Sequence, residues 1–210
     1  MKTAIAILTL TFFTFSCKDK ENSLSTKSEQ IIGLDSLTNT ETKASQPTID
    51  LIYETGNLKL FGDTTIEEAK ISSALIKFEP YIGFNDFSVA AIDHKKYAEL
   101  DLKSNRVANS YRTRLREGYK SDTANFGGHY TFIYFGCGSP CQGSLLIDRK
   151  TGKVYDSPGA SGGYDYQVDS RMLIVNPPDT NGFYHDCPYC KPIIYIFNEQ
   201  TKSFEERLRK

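Results

Sequence analysis

The spacing of hydrophobic positions divides the chain into three parts. The short run Ala4–Phe15 is almost entirely apolar, residues 18–50 are polar without one aromatic residue, and apolar residues recur with regular spacing after Leu51. As a helix the first run would reach only about 18 Å, against a hydrocarbon core of roughly 30 Å. We therefore predict a signal peptide at 1–16, a flexible tether at 17–50 and a single folded domain at 51–210.

Two segments of the domain have the hydrophobic period of an amphipathic helix. The first begins with a capping-box pattern at Thr64–Glu67, ends at Pro80 and has apolar residues at positions i, i+4 and i+7: Ile71, Leu75 and Phe78. The second can be capped by Ser104 and stopped by Gly118, and its apolar residues fall at i, i+4 and i+8: Val107, Tyr111 and Leu115. We predict a helix in each segment.

From His129 onward the period changes to that of β-strands. His129–Phe135 has large aromatic or β-branched residues on both faces, so we predict a central strand there. The turn Asp148–Lys153 has Gly152 where a positive φ is favoured. The other predicted strands are shorter: Ser144–Asp148, Val154–Tyr155, Met172–Val175, Ile193–Phe197 and Ser203–Arg207. This order predicts an α+β fold with one or two helices followed by a mainly antiparallel β-meander.

The composition narrows the function classes. Thirteen Tyr and 13 Phe among 210 residues can build a core, which excludes a chain that is disordered throughout. A net charge of -1 gives no electrostatic basis for a nucleic-acid partner. The zinc motif H-E-x-x-H and the phosphate-binding motif G-x-x-x-x-G-K-[ST] are both absent from the sequence. We therefore expect no cofactor.

Cys17 follows the apolar run directly, with the small residues Thr14 and Ser16 just before it. This arrangement resembles the cleavage site of bacterial lipoproteins, which implies that Cys17 becomes a lipidated N-terminus with the membrane as its partner. The adjoining Lys18–Glu21 resembles the sorting tag of surface-displayed lipoproteins in some Gram-negative bacteria. It implies an outer-membrane location in the cell envelope and leaves open which side the domain faces. The alternative is an ordinary signal peptide cleaved near Ser16, which would leave an unpaired thiol in an oxidising compartment.

Three motifs between residues 100 and 176 carry a family resemblance. They are Asn125–Tyr130, which reads N-F-G-G-H-Y, Gly136–Cys141, which fits G-C-G-x-x-C, and Asp148–Tyr155, which fits D-x-x-T-G-K-V-Y. Together with Asp169–Val175 they resemble a family of uncharacterised bacterial secreted proteins and lipoproteins, in which Ala is usual at the position of Gly127. The resemblance implies an extracytoplasmic address and a fold type, and it implies no reaction.

The four remaining cysteines form two close pairs, Cys137 with Cys141 and Cys187 with Cys190. In an extracytoplasmic protein, two local disulfides are the simplest interpretation, and crossed pairing between the loops stays open. The Cys-Pro-Tyr-Cys segment also resembles the redox motif of glutaredoxins, although β-rich residues follow it where that chemistry needs a helix. A four-thiolate zinc site, with His185 as a spare ligand, is a further alternative.

His129 is the strongest candidate for acid–base chemistry, because its unperturbed pKa near 6.5 suits a general acid or base. It lies where a glycine-rich loop enters the predicted strand. Residues expected near it are Asn125, Tyr130, Arg112, Arg114 and Asp148. The alternative is a hydrogen-bonded histidine that only fixes the loop.

The loop Ser157–Ser170 is the second candidate site. It combines glycines with aromatic residues and the carboxylates of Asp165 and Asp169, a set that can bind a sugar, a peptide or Ca²⁺. The alternative is a solvated connection between strands.

These observations favour a lipid-anchored extracytoplasmic binding or structural protein. Its partner would be an unknown protein or a small polar ligand, and an inhibitor or immunity-type protein fits this class. The alternative is an envelope hydrolase that uses His129 with a carboxylate.

Overall fold

The computed structural model of the protein describes residues 48–209, apart from 66, 67, 69, 93–96 and 122. The described residues belong to one compact unit, Ser45–Lys210. The predicted signal peptide, Cys17 and nearly all of the predicted tether lie outside the described residues. No helix within the described ranges is long and apolar enough to cross a membrane.

Antiparallel β-sheet dominates the described part of the chain. The strands pair in three sheets, ordered β1-β2-β3-β9, β11-β10-β8-β7 and β4-β5-β6, and every pairing between them is antiparallel. The antiparallel, β-rich part of the predicted fold is thus confirmed. The elements are β1 (Ile49–Glu54), β2 (Leu58–Asp63), β3 (Lys70–Lys77), α1 (Arg112–Ser121), β4 (Tyr130–Gly138), β5 (Cys141–Asp148), β6 (Val154–Asp156), β7 (Tyr164–Tyr166), β8 (Met172–Val175), β9 (Phe183–His185), β10 (Ile193–Asn198) and β11 (Ser203–Glu206).

The predicted first helix is wrong, because its segment forms strand β3. The register places Phe61 opposite Ser73 and Gly62 opposite Ile71, so Ser72 is an extra residue in a β-bulge. β3 pairs with β2 on one side and with β9 on the other. Strand partners on both sides thus override the helical spacing of Ile71, Leu75 and Phe78, in a segment whose Ile and Ser residues favour a helix only weakly.

The predicted second helix is confirmed, but its bounds shift towards the C-terminus. Short 3₁₀ turns at Leu102–Ser104 and Ala108–Tyr111 precede α1, which runs to Ser121. Gly118 lies inside α1 and does not end it. A Cβ at Gly118 would approach the side chain of Ile133 to 2.8 Å, so glycine here allows the helix to pack closely on β4.

The predicted central strand is an edge strand, because β4 pairs only with β5 within the described residues. Its first half is nevertheless buried on both faces. One face contacts a core of aromatic and aliphatic side chains: Phe126, Tyr130, Phe132, Leu146, Leu173, Val175 and Phe197. The other contacts a second core beneath α1: Ala108, Leu115, Ile133, Leu145, Ile147 and Val154. Large residues on both faces of a strand therefore indicate that a layer covers each face. They do not indicate that the strand has a second neighbouring strand.

The predicted hairpins after β4 are confirmed. The turn between β5 and β6 places Gly152 at φ +76°, where a Cβ would collide with the carbonyl oxygen of Glu99 at 1.8 Å. β10 and β11 pair as the closing hairpin, with Phe197 opposite Phe204.

Candidate functional site

His129 and Asp148 form the first polar cluster that the fold assembles. His129 ends the turn before β4 and Asp148 ends β5, and the His129 Nε2 atom lies 3.6 Å from Asp148 Oδ1. Only 8% of His129 is exposed. Burial lowers the pKa of His129 below its usual range, the cation of Lys150 lowers it further, and Asp148 opposes this in part. His129 is therefore neutral at neutral pH.

Asp148 has a structural task of its own in the turn that follows β5. Its carboxylate accepts hydrogen bonds from the Lys150 backbone N–H at 2.8 Å and from the Thr151 hydroxyl at 3.0 Å. These bonds shape the turn that precedes β6. The contact with His129 is longer than a hydrogen bond, and it is the burial of the histidine that favours a structural role over acid–base chemistry.

Tyr130 anchors a second cluster that the sequence analysis did not find. Its hydroxyl donates to Glu199 at 2.6 Å and accepts from Lys202 at 2.7 Å, while Lys202 also donates to Glu199 at 2.7 Å. Burial raises the pKa of Tyr130, and the hydrogen bond to Glu199 raises it further. Hydrogen bonds from Lys202 and Tyr130 lower the pKa of Glu199 overall, although burial acts the other way. This cluster fastens the β10–β11 turn to β4.

Arg149 is a buried cation that sequence reasoning also missed, and it is only 2% exposed. Its guanidinium lies between two aromatic rings, 4.2 Å from the ring centre of Tyr97 and 4.5 Å from that of Tyr119. Its Nη2 atom donates to the Tyr119 carbonyl at 3.0 Å, and Nε donates to the Thr131 hydroxyl. These contacts tie the residue after β5 to α1 and β4.

Both predicted local disulfides are confirmed. The Cα atoms of Cys137 and Cys141 are 5.1 Å apart at the tip of the β4–β5 hairpin, and those of Cys187 and Cys190 are 5.2 Å apart after β9. With their sulfurs joined, the four cysteines do not form the alternative zinc site. The Cys187–Cys190 loop leads into β10 and not into a helix, and Asn176 holds it by donating to the Tyr189 carbonyl at 2.9 Å. The arrangement is that of a structural staple.

A cavity of about 390 Å³ lies between α1, β4 and β7. It combines three aromatic residues with charged and amide groups, and it is lined by Arg114, Glu117, Gly118, Asn125, Phe132, Ile133, Tyr134 and Tyr166. We call it the β4-edge pocket. His129 does not line this pocket. It also does not line four other cavities in the described part of the chain.

The other predicted site residues are divided between several places. Asn125 and Arg114 both line the β4-edge pocket, whereas Arg112 donates to the Asn109 carbonyl at 3.5 Å at the start of α1. Asp165 lines a separate and largely apolar cavity, where burial raises its pKa. Asp169 accepts the backbone N–H of Val89 through its carbonyl at 2.8 Å. Asp169 does not line that cavity, and the loop as a site for a sugar, a peptide or Ca²⁺ stays a prediction.

The segment 159–163 fits the nucleophile motif G-x-S-x-G, which the sequence analysis did not single out. That motif acts at a sharp turn from a strand into a helix, but here the segment precedes the short strand β7. The Ser161 hydroxyl donates to the Tyr189 carbonyl and lies 3.3 Å from Asn176 Oδ1. Ser161 therefore fixes the Cys187–Cys190 loop, and its hydrogen-bond partners in the described part of the chain are a carbonyl and an amide rather than a base.

Comparisons with known proteins found no match: no family model fits the chain, and neither a curated protein nor a solved structure resembles it significantly.

Proposed function

We propose that the chain is a lipid-anchored extracytoplasmic binding protein of the bacterial envelope and that its ligand occupies the β4-edge pocket. The sequence supports the anchor through the apolar run Ala4–Phe15 and the cysteine that follows it. Two disulfides support an oxidising compartment, since such bonds are rare in the cytoplasm of mesophiles.

The observation that carries the binding function is the composition of the β4-edge pocket. Tyr134 is 48% exposed there and, with Tyr166, offers aromatic surface beside the charged groups of Arg114 and Glu117. A cavity of about 390 Å³ has the volume of a small-ligand site, and its polar groups can fix the orientation of a ligand. The envelope hydrolase is the second candidate, supported by the His129–Asp148 pair. It is the weaker proposal, because a general base must reach its substrate and His129 is almost fully buried.

The anchor is tested by feeding cells a clickable fatty acid. We expect the full chain to become labelled and Cys17→Ala to lose the label, while Cys187→Ala, a cysteine control, keeps it. Labelling that survives in Cys17→Ala contradicts the lipid anchor.

The binding function is tested by capture of envelope components on the purified full chain. We expect Arg114→Ala and Tyr134→Ala to lose the material that the wild type captures, and a folded His129→Gln variant to keep it. Loss in His129→Gln alone would instead place function at the histidine.

A further inference from the structure

The outer edge of β4 carries a row of backbone groups at every second residue. In an antiparallel pair, residues alternate between those whose N–H and C=O face the partner strand and those whose groups face away. Phe132 lies opposite Leu146 in β5, but its N–H and C=O bond to the Asn125 side chain and therefore face away. Tyr130, Tyr134 and Gly136 share this orientation, because the register is regular from Tyr130 to Gly136.

The chain itself fills the first two of these positions. At Tyr130, the N–H donates to the Phe126 carbonyl at 3.0 Å, and the C=O accepts from the N–H groups of Asn125 and Phe126 at 2.9 and 3.2 Å. At Phe132, the Asn125 side chain accepts from the N–H at 2.7 Å and donates to the C=O at 3.1 Å. The amide of Asn125 thus stands in for the peptide group of a neighbouring strand.

The next two positions, Tyr134 and Gly136, are open, and the first of them lies at the pocket. Within the described residues, no group outside β5 bonds to the backbone of Tyr134 or Gly136. Tyr134 lines the β4-edge pocket, and a Cβ built on Gly136 would meet nothing within 4 Å. The two positions are about 7 Å apart along the strand. An edge strand with open backbone groups is the element to which extended peptides add.

Arg114 is the cation that α1 places at this edge, and Glu117 of the same helix also lines the pocket. α1 packs over β4 through the close contact of Gly118 with Ile133. It carries four cationic residues, Arg112, Arg114, Arg116 and Lys120, against the single acid Glu117. Tyr134 and Tyr166 lie on the other side of the edge. An added strand turns alternate side chains to opposite faces, so acidic residues would face Arg114 and apolar residues the tyrosines.

We infer that the ligand of this pocket is an extended acidic polypeptide segment, which adds to β4 as a further strand through the backbone of Tyr134 and Gly136. The inference rests on the proposed function, since it names the ligand class for the same pocket. Recognition through the main chain explains why a pocket with few convergent side chains can bind a ligand.

The test uses the full, isotope-labelled chain and the octapeptide (Glu-Val)₄, followed by amide resonances and hydrogen exchange. Without peptide, the Tyr134 and Gly136 amides should exchange fast while those of Ile133 and Phe135 exchange slowly. The peptide should bind saturably and slow exchange at Tyr134 and Gly136. The peptide (Lys-Val)₄ should bind about tenfold more weakly. Equal binding of both peptides, or unchanged exchange at the two amides, overturns the inference.

Two matched changes test main-chain recognition. Gly136→Pro removes the outward N–H and leaves the β5 ladder intact, so it should weaken the peptide about tenfold, whereas Gly136→Ala should bind within about twofold of wild type. The peptide (Glu-Val)₄ is also made with N-methyl groups either at every Glu or at every Val. Only one of these two sets of N–H groups can face β4, so one methylated peptide should lose binding and the other should keep it. Equal behaviour of the two methylated peptides refutes strand addition, even if Gly136→Pro fails to fold.

The outcomes separate this inference from the proposed function. Capture of envelope material that depends on Tyr134, without any peptide effect, would refute the peptide ligand and leave the binding protein standing. Loss of both would refute both. Slow exchange at Tyr134 and Gly136 without peptide, together with a dimer in solution, would show that a second copy covers the edge and would overturn the inference.

Discussion

Replacement of Asn125 by Ala should destabilise the domain and open a third backbone position on β4. The Asn125 side chain makes two hydrogen bonds to the backbone of Phe132, and Phe132 is only 1% exposed. Alanine removes both partners and leaves the Phe132 N–H and C=O without a side-chain partner. Because Asn125 and Phe132 both line the β4-edge pocket, water can replace the lost partners in part, and the cost is that of two net hydrogen bonds.

The expected magnitude follows from these two bonds. A net contribution of about 1 kcal/mol for each gives about 2 kcal/mol, and incomplete access of water would raise the value. For a domain of this size, that corresponds to a decrease in the melting temperature of about 4–8 °C. Asn125→Asp keeps an acceptor for the Phe132 N–H but sets a carboxylate against the Phe132 carbonyl, so it should not restore stability.

Urea unfolding and amide exchange measure the two consequences. The midpoint should fall without a change in the denaturant slope, and the Phe132 amide should exchange much faster while Ile133 stays protected. Asn57→Ala, a change at an exposed asparagine, should stay within about 0.5 kcal/mol of wild type. A loss below about 0.5 kcal/mol in Asn125→Ala with a protected Phe132 amide would refute the assigned role of Asn125.

Four further predictions concern the clusters around this edge. Tyr130→Phe removes two hydrogen bonds and should cost about 2 kcal/mol in urea unfolding, so an unchanged midpoint would show that the cluster is not formed. Arg149→Met removes the buried cation and its hydrogen bonds and should cost about 3 kcal/mol, a value that a loss under 1 kcal/mol would contradict. Because the folded-state pKa of His129 is lowered, the unfolded chain binds a proton first on acidification, and the stability of the domain should fall as the pH drops below about 6.5. His129→Gln should flatten this dependence of stability on pH, and an unaltered dependence would contradict its assignment to His129. The double variant Cys187→Ala, Cys190→Ala opens a small loop and should cost about 2 kcal/mol by thermal unfolding under non-reducing conditions, whereas full stability would mean that the disulfide constrains nothing.

The elements that the sequence predicted well depend on local patterns. Met172–Val175 matches β8 at both ends, and the turn at Gly152 needed only a glycine between two alternating runs. The cysteine pairs were predictable for the same reason, since each partner lies within four residues of the other. In these places the local sequence and the tertiary structure agree.

The errors arise where distant partners decide the outcome. Ile71, Leu75 and Phe78 have helical spacing, but pairing with β2 and β9 makes the segment a strand. The large residues on both faces of β4 resemble those of a central strand, but they are buried by two covering layers, the aromatic core on one face and α1 on the other.

The site was predicted only in part for a related reason. The sequence predicts Asn125 among the residues near His129, but its side chain bonds instead to the backbone of Phe132. Glu199 meets Tyr130 across 69 positions of sequence, a contact that no local motif records. The open edge of β4 depends on strand order and on which backbone groups face outward. Neither can be deduced from the residue types of the segment.

Photo-cross-linking in living cells tests the central claim most directly. A photoreactive benzoyl-phenylalanine replaces Tyr134 in the full chain, and a second variant carries it at Tyr189, which is 68% exposed and does not line the β4-edge pocket. We predict a discrete cross-linked adduct at position 134, lost when Arg114→Glu is added, and no such adduct at position 189. Absence of an adduct at position 134, or the same adducts at both positions, would contradict a binding protein that acts through the β4-edge pocket.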